Sequence, residues 1–311
     1  MKIAILGAGA MGMLFGAYLS RENNVILLEK DQERVRQISE CGIRIREKDG
    51  EVHFNVRAAD ISECDSVGKV ELIIVFVKAM FENDALEAAR CLIDENTYIM
   101  TLQNGEGHEE ILRKFVPEDR IIIGTTQDNS SVIENGYINH GGAGHTYVGA
   151  VAGFSDMPRK IAETFSRCGF AAETSESIKR LIWNKLFLNA SASALTAMFQ
   201  TNLGFIAEDK YAWSLAEKLI SEAVATANAD GQSFDEAAVR SEIKCHLERS
   251  KGGYTSIYAD IRAGRRSEVD TISGAVVKAA HRLRVPVPNM EFVVSAIHAM
   301  EDKNTNRELY E

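Results

Sequence analysis

The chain has 311 residues, 45% hydrophobic and 26% charged, a globular balance that excludes a disordered or fibrous polymer. Its 35 basic residues stand against 45 acidic ones, a net charge of −10, which argues against a nucleic-acid backbone as the main partner. Five widely spaced cysteines (Cys41, Cys64, Cys91, Cys168 and Cys245) include no C-x-x-C pair, which argues against a disulfide framework or zinc ribbon and for reduced cytoplasmic thiols.

The first expected element is KIAIL at 2–6, so no signal peptide is expected ahead of it. A glycine-rich turn follows, then an amphipathic segment to about Ser20 and a second strand, VILLE, at 25–29. Around Lys48-Asp49-Gly50, the alternating runs IRIRE (43–47) and VHFNV (52–56) read as a hairpin at a sheet edge. ELIIVFV (71–77), TYIMTL (97–102) and IIIGTT (121–126) are continuous apolar runs, the pattern of parallel strands buried on both faces. His140 and His145 flank Gly141-Gly142-Ala143-Gly144; a glycine-rich hairpin explains this better than a metal site, because no third ligand is placed near them.

After about Glu173 helical patterns take over, at roughly 177–198, 210–229, 234–250, 254–263, 268–284 and 289–301. The uncharged stretch 186–207 is long enough to span a bilayer but is broken by seven polar residues, so a buried helix and no membrane contact are expected. The chain therefore divides into an α/β domain (1–174) and an all-helical domain (175–311).

Gly7-Ala8-Gly9-Ala10-Met11-Gly12 is a G-x-G-x-x-G run that follows a strand and opens a helix, the context in which this pattern binds a dinucleotide. The first glycine permits the tight turn, the second admits a pyrophosphate to the backbone and the third lets helix and strand pack closely. This predicts a Rossmann doubly wound sheet with NADP(H) or NAD(H) as cofactor. Glu29 ends the second strand where an acid accepts hydrogen bonds from the adenosine ribose, or is an exposed acid with no such task. Lys30 follows at once and can pair with a 2′-phosphate, so the two neighbours point to opposite cofactors, with Glu29 leaning toward NAD(H). Ligands sit beyond the carboxyl ends of parallel strands, where Lys78 and Asn104 stand. Lys78 reads equally as a solvated lysine, and Asn104-Gly105 as a turn.

In the helical half, Lys185, Asn189, Ser193 and Thr196 recur at helical spacing on an otherwise apolar helix. One lysine with small neutral polar residues resembles the lining of a buried site; the alternative is a lysine snorkelling from a core helix. Ser267 and Asp270 match a capping box at the start of the 268–284 helix, with Glu268 in its first turn. Lys185 suits the role of proton donor to a developing alkoxide, and Glu268 that of its orienting carboxylate.

These residues together resemble the ketopantoate reductase (2-dehydropantoate 2-reductase) family, within the 6-phosphogluconate dehydrogenase-like group. The likeness runs through Gly7–Gly12, VKA (77–79), QNGEGHEE (103–110), WNKLFLN (183–189), SEVDTISG (267–274) and VPVPN (285–289). It implies Lys185 as general acid, Glu268 as its partner, Lys78 and Asn104 as residues holding cofactor and substrate between the domains, and Asn189 and Ser256 as substrate contacts. It implies NADPH-dependent reduction of a branched 2-oxo acid, 2-dehydropantoate first, in pantothenate biosynthesis. The chain departs from the family pattern at Ser193-Ala194, at Gly252–Thr255, at Ser273 and at Glu29-Lys30. The first two bear on substrate contacts and leave open an NAD-dependent D-2-hydroxyacid dehydrogenase for bulkier 2-oxo acids. A nicotinamide-binding sensor would need neither Lys185 nor Glu268. A small-molecule substrate is expected, no metal is expected, and a homodimer is allowed.

Overall fold

β-branched and leucine-rich runs that cannot stay in water become the strands of a central sheet. The computed structural model describes residues 1–153 and 155–305. In chain order its first part runs β1 (Lys2–Leu6), α1 (Ala10–Leu19), β2 (Asn24–Glu29), α2 (Gln32–Cys41), β3 (Ile43–Glu47), β4 (Gly50–Phe54), β5 (Arg57–Asp60), β6 (Leu72–Val75), α3 (Glu82–Ala88), β7 (Tyr98–Thr101), α4 (Glu109–Leu112), β8 (Ile121–Thr126), β9 (Asn129–Glu134), β10 (Tyr137–Gly142), β11 (His145–Ala150), α5 (Met157–Arg167) and β12 (Ala171–Thr174). The second part is helical: α6 (Ile178–Phe199), α7 (Leu203–Glu208), α8 (Lys210–Ala229), α9 (Glu236–Arg249), α10 (Ser256–Arg262), α11 (Ser273–Leu283) and α12 (Pro288–Thr305).

Eight strands form one sheet in the order β12-β11-β8-β7-β6-β1-β2-β5. From β8 to β5 every pairing is parallel, and β11 joins β8 antiparallel. Residues 3–6 of β1 and 72–75 of β6 are fully buried, as expected for strands covered on both faces. The expected five strands are all present, and β5, β11 and β12 extend the sheet.

A second sheet, β4-β3-β10-β9, is where the sequence-based expectation needs correction. The 43–56 hairpin exists, but it pairs with β10 rather than with the edge of the main sheet. The glycine run 141–144 is not a hairpin either: β10 belongs to the second sheet and β11 to the first, so the chain changes sheets there. The hairpin partner of β10 is β9. This small sheet lies against α1, which also packs on β2. With apolar neighbours on both sides, α1 is buried from Gly12 to Ala17 and is not the one-faced amphipathic helix expected. Phe15 of α1 stacks on Phe170 at 4.2 Å and meets Phe165 edge-on at 5.5 Å, joining α1 to α5 and to the approach of β12.

Around α6, the second core contains Trp183, Leu186, Phe187, Leu195, Ile220, Val276 and Met290, all at 2% exposure or less. Ser191, Ser193 and Thr196 are buried as well, so α6 faces protein on several sides beyond Lys185, which accounts for the absence of charge in that part of the helix. No helix among the described residues is long and apolar enough to cross a membrane. The 186–207 stretch is not one helix. Gln200 takes a left-handed backbone (φ 52°), and Asn202 starts α7 by accepting from the Phe205 amide.

The chain forms two compact units, 1–103 with 108–178, and 179–311 with 104–107. Residues 306–311, at the end of the expected helical domain, lie outside the described ones. Cys64 and Cys91 are bonded as a disulfide between two short turns, whereas Cys41, Cys168 and Cys245 are free. The expectation of five reduced thiols fails for that pair, because 27 residues of separation conceal two turns that fold side by side.

Candidate active site

The glycine-rich turn is shaped by contacts that exclude side chains. Gly7 has φ +95°, and a Cβ there would lie 2.9 Å from the Val77 nitrogen. A Cβ at Gly12 would lie 1.9 Å from the Gly7 carbonyl oxygen, so α1 sits directly on the turn. A Cβ at Gly9 would meet nothing within 4 Å. Gly9 is also the N-cap of α1 and caps it with no side-chain bond. Open space beside bare amides at a helix N-terminus suits a pyrophosphate, and a side chain at Gly9 would fill it. Ala8, Ala10 and Met11 complete this cradle; Ala8 is buried, and Ala10 and Met11 are half-buried in the first turn.

Glu29, at the end of β2, turns its carboxylate back to this loop. Its Oε2 accepts from the Ala8 amide at 2.9 Å and from Arg34 at 3.3 Å, and its Oε1 accepts from the amides of Lys30 and Asp31 at 2.8 and 3.1 Å. Glu29 therefore fixes the position of the loop as well as placing a carboxylate beside it. Lys30 is directed elsewhere: its Nζ lies 4.3 Å from the centre of the Phe81 ring. Sequence reasoning misses Arg34, the cation that does face Glu29. Its signal is a basic residue in the first turn of the following helix, behind the N-cap Asp31.

Lys78 is half-buried at the N-cap of a short turn, 79–81, just past β6. The preceding carbonyl, that of Val77, accepts from the Gln103 side chain at 2.7 Å. Beyond the turn, buried Glu82 faces buried His108 at 2.9 Å. Both flanks of the 104–107 loop are thus anchored beside the Lys78 segment. Asn104 itself is half-buried and groups with the helical unit. Gln103 and His108 lie in the QNGEGHEE run, but their anchoring roles have no local signal, since their partners lie 26 residues away.

In the helical unit, Lys185 stands in the first half of α6. Burial pushes its ammonium down from 10.5 to about 8, and the negative charge of Glu268 opposes that fall. The structure thus brings Lys185 and Glu268 into electrostatic reach across 83 residues of sequence. Glu268 does not open a helix: α11 starts at Ser273, and 268–272 is a turn held by the amides of Thr271 and Ile272 on the Glu268 carbonyl. The capping box is absent because its members have stronger partners. Ser267 gives both its amide and its hydroxyl to buried Glu301, at 2.8 and 2.7 Å, and Asp270 pairs with His298 at 2.9 Å.

Asn189 lies half-buried one turn beyond Lys185, and Ser193 a further turn on is buried. Thr196 bonds Thr255 at 2.7 Å, and Thr255 in turn caps α10. The end of the polar stripe therefore joins two helices. Ser256 is the first residue of α10 and is exposed. His140 is held between Glu47 at 3.0 Å and Asp128 at 3.3 Å, and the His145 ring stacks on Tyr147.

Comparison with known proteins matches these two halves separately. Residues 3–153 fit the ketopantoate reductase PanE/ApbA family, and residues 177–301 fit its C-terminal domain. A 2-dehydropantoate 2-reductase of Lactococcus lactis subsp. lactis (strain IL1403) is 32% identical over 97% of this chain and 98% of that protein. One from Halobacterium salinarum is 30% identical over 92% and 95%. The ternary structure of D-mandelate dehydrogenase with NADH and anilino(oxo)acetate superposes with a TM-score of 0.93, at 30% identity over 98% of this chain and 99% of that one. The chain belongs to the ketopantoate reductase PanE/ApbA family.

Proposed function

We propose that this protein is an oxidoreductase that reduces a branched 2-oxo acid, 2-dehydropantoate first, to the 2-hydroxy acid with a reduced nicotinamide dinucleotide. The observation that carries this reading is Lys185, a lysine brought down to about 8 on an apolar helix with Glu268 as its opposing charge. A donor with that proton affinity is still protonated at neutral pH yet gives up its proton readily. Residues 7–12 would hold the pyrophosphate of the dinucleotide, whose reduced nicotinamide would supply a hydride to the carbonyl carbon. Lys185 delivers its Nζ proton to the carbonyl oxygen, and Glu268 maintains the ammonium form before transfer. Residues 1–174 serve as the dinucleotide domain and 175–311 as the substrate domain. Lys78 and Asn104 hold cofactor and substrate, while Asn189, Ser193 and Ser256 contact the acid.

A second reading, a D-2-hydroxyacid dehydrogenase acting on bulkier 2-oxo acids, is supported by the likeness to D-mandelate dehydrogenase and by Ser193, which is too short to reach as far as an asparagine. We propose a cytoplasmic location with this activity, since nicotinamide dinucleotides are recycled there. A homodimer is supported by Phe199, Phe205, Tyr211 and Leu215, apolar side chains exposed on three successive helices.

The cofactor reading leans toward NADH, because a 2′-phosphate would meet the Glu29 carboxylate while Lys30 is turned to Phe81. Steady-state kcat/KM for 2-dehydropantoate and a panel of branched and aromatic 2-oxo acids, with NADH and NADPH, tests both points. Turnover should be greatest with NADH, and Glu29→Ala should shift preference toward NADPH by about tenfold or more. Absence of turnover on every 2-oxo acid refutes the proposed activity, and a strong NADPH preference in the wild type refutes the role given to Glu29.

A further inference from the structure

Residues 104–107 interrupt the first unit in sequence yet pack with the second. The contact that ties them there is a backbone approach. Gly105 has φ +109°, and a Cβ on it would stand 1.8 Å from the Thr271 carbonyl oxygen and 2.7 Å from its carbon. No side chain fits in that space. Thr271 is the half-buried outer residue of the turn that begins at Glu268. It donates its amide and its hydroxyl to the Glu268 carbonyl, at 3.2 and 3.3 Å.

The rest of the turn is held from inside. Val269 and Ile272 are buried, the Gly274 amide bonds the Val269 carbonyl at 2.8 Å, and Ser273 reaches the Ala190 carbonyl on α6 at 3.4 Å. Thr271 is the part that needs support from another segment, and Gly105 supplies it.

We propose that Gly105 is a positioning residue: its bare Cα seats the 104–107 loop on the Thr271 carbonyl, and that seat fixes the Glu268 turn relative to Lys185 and to Asn104. The inference rests on reading Lys185 and Glu268 as the proton-donating pair. The same loop carries an internal comparison. Gly107 has φ +91°, almost the same backbone demand, but a Cβ there meets nothing within 4 Å. Gly105 and Gly107 thus share conformational strain and differ in the contact.

The test compares Gly105→Ala with Gly107→Ala in the full-length protein. Gly105→Ala should lower kcat by about 10²-fold, the scale of an ångström-sized misplacement, with dinucleotide Kd unchanged. The pH at which activity is lost should move down, because Glu268 no longer supports the Lys185 charge as well. Amide hydrogen exchange at Thr271, Ile272 and Gly274 should accelerate. Gly107→Ala should stay within about threefold of wild type in kcat and leave the pH profile and exchange unchanged.

Equal effects from the two alanines, or a fall in kcat with no change in pH profile or exchange, would overturn the proposal. If Gly105→Ala does not fold, Thr271→Val, which removes the hydroxyl bond to Glu268, should lower the same pH limit, and Thr271→Ser should restore it; failure of that pair overturns the proposal too. If the wild type turns over no 2-oxo acid, the reductase reading fails by itself. NMR titration of Lys185 in wild type and Gly105→Ala then still decides whether Gly105 places Glu268.

Discussion

The nucleotide cradle and the Lys185 site make opposite uses of the chain. The cradle is made of backbone and of missing side chains, within 22 residues from Gly7 to Glu29, and its one committed side chain, Glu29, bonds the Ala8 amide. The Lys185 pair is made of side chains delivered from distant segments, Lys185 on α6 and Glu268 on the 268–272 turn. A site of the first kind is defined by local spacing. One of the second kind is defined by tertiary packing, and it tunes its central group through burial.

That contrast implies different ways of failing. If Lys185 donates the proton, Lys185→Ala should reduce kcat by about 10²–10⁴-fold while dinucleotide binding and melting temperature are retained. Near-normal turnover in that variant would remove Lys185 from the chemistry. The cradle should fail through binding or folding. Gly12→Ala forces a Cβ onto the Gly7 carbonyl and should destabilise the fold by about 1–3 kcal/mol in thermal or denaturant unfolding. Gly9→Ala places its methyl in open space, so stability should hold while dinucleotide Kd rises, by isothermal titration. Matching losses of stability in both variants would contradict the assignment of Gly9 to the ligand and Gly12 to packing.

The smallest effect should come from Glu268→Gln, read as a pH profile. If Lys185 is the proton donor, its protonated form is the active one, so activity in the wild type should be present below about pH 8 and fall as pH rises through that value. Glu268 raises the proton affinity of Lys185, so its neutral replacement lets burial act unopposed and the fall begins at lower pH. A fall of about one pKa unit from about 8 should cost about twofold at pH 7 and approach tenfold only near pH 9. An unchanged profile would show that Glu268 acts on something other than the Lys185 charge.

The same contrast governs how much of the molecule is legible in its sequence. The strands at 2–6, 72–75 and 121–126 and the glycine cradle are legible because each is a local pattern with a local cause. Lys185 is legible as the charge at the head of the uncharged stretch of α6, and Glu268 mainly through the family likeness. The features that are not legible depend on partners far away in the chain. Ser267 and Asp270 have the spacing of a sound capping box, but Glu301 and His298 take them instead. The 43–56 hairpin pairs with β10, about 90 residues on, and Lys30 turns to Phe81 while Arg34 faces Glu29. Local rules propose partners for such groups, and the final packing chooses among them.

The bond between Glu301 and Ser267 also sets an order of assembly during synthesis. A chain emerging from the ribosome exposes the glycine cradle within its first few dozen residues, and its parallel partners follow by β8. Ser267, the residue that leads into the Glu268 turn, has no such anchor until α12 has been made, because Glu301 is the acceptor for both its amide and its hydroxyl. The 104–107 loop, translated early, waits for Thr271 as its seat. Nascent chains that stop short of α12 should therefore capture dinucleotide without turning over substrate, and the proton-donating site would be completed only as the last helix leaves the exit tunnel.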